Sequence, residues 1–133
     1  VLASIANRSN MLVLASKVSQ DDFSPAKGNA LQACVASLFS KRLQEVPNFI
    51  ALECGYEVGI QRFVEQQNYA AVKKKIINIS DEDQGKLCIL RGKSPRGSFG
   101  HVVVAKIVDN GGFQMIHDPH PDATFLDPSE AYG

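Results

Sequence analysis

The sequence predicts an α+β fold in which helices of the first half pack on an antiparallel sheet built from the second half. From residue 29 to residue 67 apolar side chains recur at spacings of three and four, the period of amphipathic helices. Beyond residue 75 that period gives way to short β-branched and aliphatic runs separated by turn residues. Asn110-Gly111-Gly112 between two such runs is a strong hairpin signal and makes the sheet antiparallel.

Taken in order, Met11–Val18 is a short apolar run compatible with a strand or a helix end, and Ser19–Gly28, with Pro25 and Gly28, reads as a loop. A helix follows from Asn29 to about Arg42, with the Asn29 side chain as its cap. Pro47 ends that segment and restricts Val46 before it. Tyr56–Gln67 predicts a second helix with Val58, Ile60, Phe63 and Val64 on its apolar face. Strands are expected over Lys75–Ile79 and Lys86–Leu90, separated by the acidic turn Asp81-Glu82-Asp83. Gly92–Gly100 reads as a loop. His101–Val108 is the clearest strand, and Gly112–His117 returns beside it until Asp118-Pro119-His120-Pro121 stops it.

The 133 residues suit one domain, with 1–19 as an N-terminal extension and the start at Val1 suggesting excision from a longer chain. Fourteen basic residues balance fourteen acidic ones, so charge argues for neither nucleic acid nor an anionic membrane as partner. Lys73-Lys74-Lys75 reads as a solvated element end. No apolar run approaches the roughly 20 residues of a membrane span, and Val1–Ala6 lacks the layout of a signal peptide. Three cysteines without a Cys-x-x-Cys suggest neither disulfides nor zinc; reduced thiols in the cytoplasm are the expectation.

The helix start near Asn29 is chemically suggestive. A helix N-terminus offers unpaired N–H donors and a partial positive charge, the setting for an anionic nucleophile or an oxyanion. Ala30 in the first turn has no chemistry to offer. Around it stand the other parts of a thiol acyl-transfer site. His101 opens one hairpin strand, Asp118 closes the other where it could orient the imidazole, and the Gln20 amide lies in the loop before the helix. Arg96 just upstream of His101 is positioned to clamp a substrate carboxylate, or is simply an exposed loop arginine. Cys34, one turn after Ala30, reads as a small buried hydrophobe. His117 and His120 flank Asp118 without a third ligand, so no metal and no cofactor is implied.

The blocks Gln20-x9-Ala30-Leu31-Gln32-Ala33-Cys34, Leu43–Phe49, Gly92–Gly97, Gly100–Val104 and Ile116–Pro121 resemble, in order, a papain-like group. That group is similar to the double-glycine leader peptidases of bacteriocin exporters. It carries Gly-(Asp or Asn)-Cys at the helix start, with the Cys as nucleophile; here the residues are Gly28-Asn29-Ala30. The resemblance implies a papain-like fold, with His101 as general base, Asp118 as its orienting partner and Gln20 as oxyanion donor; Asn29 at the helix start and Arg96 upstream of His101 are the candidate substrate contacts. It implies a peptide or protein substrate whose amide or isopeptide bond would be hydrolysed, or whose acyl group would pass to an amine. Ala30 is either an introduced Cys→Ala change, favoured because the other site residues persist, or the mark of a natural pseudoenzyme that acts as a binding module.

Overall fold

In the computed structural model the described residues are 2–6, 17–24, 28–74, 79–97, 100–108 and 112–126. Helices and an antiparallel sheet are both present, as the change of period requires. Helix α1 spans Ala30–Leu38 and helix α2 spans Tyr56–Gln66. Strands β1 (Leu2–Ala6), β2 (Ala70–Lys74), β3 (Leu87–Lys93), β4 (Gly100–Ile107) and β5 (Phe113–His117) form one sheet in the order β2-β1-β3-β4-β5. Every neighbouring pair is antiparallel.

Several expectations are corrected. Residues 2–6, read as part of an extension, supply β1, which lies inside the sheet between β2 and β3. The sheet therefore draws strands from before, between and after its neighbours in the chain, and is not confined to the C-terminal half. Helix α1 stops at Leu38, short of Arg42. Ser40 takes a left-handed φ of 54°, its N–H reaches the Ser37 carbonyl and the Lys41 N–H reaches the Ala36 carbonyl. That paired closure satisfies the last carbonyls and turns the chain away. On α2 the buried face is Gly59, Ile60, Phe63 and Val64, while Val58 is 41% exposed. Strand β3 runs on to Lys93, into the stretch read as a loop, because Arg91, Gly92 and Lys93 pair with Val102, His101 and Gly100. The runs read at Met11–Ser16 and Lys75–Asn78, and the Asn110-Gly111 turn, lie outside the described residues.

Strands β3 and β4 are covered on both faces, which is why Leu87-Cys88-Ile89-Leu90 is apolar throughout instead of alternating. Leu87, Ile89 and Val104 pack with Val35 and Leu38 of α1, Phe63 and Val64 of α2, and Phe49 from the segment between the helices. Cys88, Leu90, Val103 and Ala105 pack on the other side with Leu126. Phe49 is fully buried, and its ring meets Phe63 edge-on at 6.0 Å. The acidic turn is not a solvated loop. Buried Asp83 accepts the Ser80 N–H at 3.0 Å and ion-pairs with Lys74 and Lys86 at 3.1 and 3.3 Å. Lys74, from the basic run, thereby ties the end of β2 to the turn.

Phe49→Ala is expected to lower the unfolding free energy by about 3–5 kcal/mol, since it removes a fully buried ring and leaves a cavity. Val58→Ala on the exposed side of α2 should stay within about 0.5 kcal/mol. Equal effects in chemical denaturation would contradict this assignment of the core.

Candidate functional site

The site begins with a side chain that does not do what its position suggests. Asn29 precedes α1, yet makes no cap bond to the helix, and its backbone (φ −115°, ψ 32°) is not the extended conformation of a capping residue. Its Oδ1 instead accepts the N–H groups of Asp21 and Asp22 at 3.1 and 3.0 Å, and its Nδ2 donates to Asp21 Oδ1 at 2.6 Å. Asn29 is buried and fastens the preceding loop to the helix start. It is a positioning residue here, which corrects its reading as a cap. The turn back into the helix is tight. The Gly28 N–H meets the Ser24 carbonyl at 2.7 Å, and a Cβ on Gly28 would lie 2.6 Å from that oxygen.

The consequence is electrostatic. With Asn29 engaged elsewhere, the backbone N–H groups of Ala30, Leu31 and Gln32 have no hydrogen-bond partner among the described residues. The first intrahelical bond is that of Ala33 to the Asn29 carbonyl. Three donors and the positive end of the helix are left for something else.

His101 and Asp118 are brought together as the hairpin predicts, with His101 Nε2 2.6 Å from Asp118 Oδ1. Asp118 is buried and heavily donated to: Oδ1 also accepts the His120 N–H at 2.9 Å, and Oδ2 accepts the Phe125 N–H at 2.8 Å. Burial alone would raise its pKa. The hydrogen bond from His101, those from the His120 and Phe125 N–H groups, and the charge attraction of the imidazole together hold it below the ordinary carboxylate range. An ionised Asp118 accepts only, so Nε2 carries the proton in the neutral imidazole and Nδ1 is the basic nitrogen. The turn-forming and orienting roles of Asp118 coexist, since its bond to the N–H two residues on is the Asx turn that stops β5.

Gln20 is buried and held at both ends. Its N–H donates to the Pro119 carbonyl at 2.8 Å, and its Nε2 donates to the Asp22 carbonyl at 3.0 Å. One Nε2 hydrogen is thus spent and one remains. Gln20 Oε1 is buried without a partner among the described residues.

Gln20, Gly28, Ala30, Leu31, Gly100 and His101 line one cavity of about 630 Å³. Its wall continues over Ile60, Ala71, Ile89 and Val102, and exposed Phe23, Ile50, Tyr56 and Val72 stand at its margin. Arg96 also lines it, but its guanidinium bonds Asp122 Oδ1 and Thr124 Oγ1 at 2.9 and 2.7 Å. It therefore braces the segment carrying the Phe125 N–H. Cys34 is fully buried; burial first and the Asp118 charge second push its thiol well above the ordinary range. His117 Nε2 is taken by the Val18 carbonyl at 2.6 Å, and the His120 ring packs on Phe23 at 4.8 Å. The two imidazoles serve different neighbours, and no group of three or more potential metal ligands converges among the described residues.

Sequence reasoning missed Asp21 and Asp22 as the partners of Asn29, and the Phe125 N–H as a donor to Asp118. Nothing in the composition of either loop singles them out. Comparison of the chain with models of known protein families, with curated proteins and with solved structures finds no match. Among the described residues no helix is long and apolar enough to cross a membrane.

Because Asp118 titrates below its unfolded value of about 3.9, its contribution to stability is present above that pH. It is lost as pH falls through the lower folded value. Asp118→Asn should therefore flatten the acid limb of the stability–pH curve, measured by urea denaturation at a series of pH values. An unchanged acid limb would mean that the carboxylate is not stabilised in the fold as described.

Proposed function

We propose that this domain has the papain-like arrangement of a thiol acyl-transfer site and acts on peptide bonds, with Ala30 at the position of the nucleophile. In its present form the chain binds a peptide and does not turn it over, since loss of a nucleophile costs many orders of magnitude in rate. The observation that carries the reading is that Ala30, on an uncapped helix start, and His101, held by Asp118, line one cavity.

With a cysteine at position 30 the chemistry follows from the groups around it. His101 Nδ1 takes the thiol proton, and the thiolate is favoured by the helix terminus and the imidazolium that forms. The sulfur attacks the carbonyl carbon, and the resulting oxyanion is met by the Ala30 backbone N–H and the remaining Gln20 Nε2 hydrogen. His101 then returns its proton to the leaving amine, which departs and leaves a thioester. Water, losing a proton to His101, attacks the thioester; the acid is released and the thiol restored. Asp118 stays ionised throughout and holds the ring.

Ala30→Cys should react rapidly with an iodoacetamide probe at residue 30 near neutral pH, and His101→Ala in that background should slow the reaction at least about tenfold. Peptide mapping separates this site from exposed Cys54. Labelling at residue 30 no faster than at Cys54, or indifferent to His101, would reject the proposed function.

A further inference from the structure

Arginine 91 is the unabsorbed group of the cavity. Three cations line the wall, and two of them are committed. Lys73 pairs with Glu57 and donates to the Tyr56 hydroxyl, while Arg96 pairs with Asp122. Arg91 has no ion pair or hydrogen bond from its side chain among the described residues. Its place is nonetheless defined. It sits on β3 opposite Val102, and its guanidinium lies across Gly100, the residue before His101. A Cβ at Gly100 would stand 3.3 Å from both Arg91 Nε and Nη2, so the bare backbone there gives the guanidinium its seat. The rest of the wall is mainly apolar, through Leu31, Ile60, Ile89 and Val102.

A planar cation without a carboxylate partner among the described residues, laid across Gly100 on the wall of an apolar cavity that His101 also lines, is complementary to an anion held on an apolar body. We propose that Arg91 is a specificity-determining residue that binds an acidic side chain of a peptide whose neighbouring apolar residues occupy the cavity. This rests on the peptide-bond reading above and names its substrate class. A side-chain carboxylate is the source argued for, because the apolar margin of Phe23, Ile50, Tyr56 and Val72 offers contact to a chain running on past the cavity.

The test uses the chain with Ala30, which holds a peptide without cleaving it. Fluorescein-labelled pentapeptides of Leu and Ala, with one Glu walked through the positions, are compared with Gln counterparts by fluorescence anisotropy. At its best position Glu should improve affinity about tenfold over Gln, as a charge-assisted pair does over a neutral one. Arg91→Gln should abolish that preference. Arg91→Glu should shift the preference to a Lys peptide at the same position. Equal binding of Glu and Gln peptides to the parent chain, or a Glu preference that survives in Arg91→Gln, would overturn the assignment of Arg91 alone. In that case the His101-dependent labelling of Ala30→Cys still decides the peptide-bond reading. Failure of every peptide to bind would overturn both.

Discussion

The engagement of Asn29 with the loop before it is the interaction on which the rest of the site depends. One amide closes two donors and one acceptor from Asp21 and Asp22, and in doing so leaves the first turn of α1 uncapped. A capping side chain is worth about 1 kcal/mol to a helix, so the local cost is small against the stability of a domain. What is gained is geometric. The loop that carries Gln20 is fixed against the helix start, and three N–H donors remain unsatisfied at the place where Ala30 lines the cavity.

The other half of the site is held by the sheet and its exit. His101 stands near the start of β4 and Asp118 just past the end of β5, so the antiparallel pairing of these strands sets their approach. The segment after β5 then returns two N–H groups to the carboxylate, and Arg96 braces that segment through Asp122 and Thr124. A buried carboxylate with three polar contacts within hydrogen-bond reach is kept ionised, and an ionised acceptor fixes which imidazole nitrogen is basic. The Gln20 N–H on the Pro119 carbonyl joins the two halves directly.

The parts legible in the sequence were those with a local signature. The hairpin, the helix start after Gly28 and the pairing of His101 with Asp118 follow from period, turn residues and strand direction. Strand β1 was not legible, because its partners Ala70–Lys74 and Cys88–Leu90 lie more than sixty residues away and short strands carry no mark of their neighbours. The early end of α1 depends on a left-handed Ser40, a conformation that serine seldom adopts. Asn29 and Arg96 were assigned by residue type to the commonest partner for that position. Each had a better one in a loop whose path the sequence does not specify. Arg91 falls between the strand read at Lys86–Leu90 and the loop read at Gly92–Gly100, and only the register of β3 on β4 places it against Gly100.

Central to the proposed function is a setting for residue 30 that favours an anion, at an uncapped helix start lining the same cavity as His101. The most direct measurement is the thiol pKa in Ala30→Cys, followed by thiolate absorbance against pH with the parent chain subtracted to remove Cys34, Cys54 and Cys88. The account predicts a value well below the ordinary thiol pKa of about 8.5, returning toward it in the His101→Ala background. A value at or above about 8.5 would contradict it.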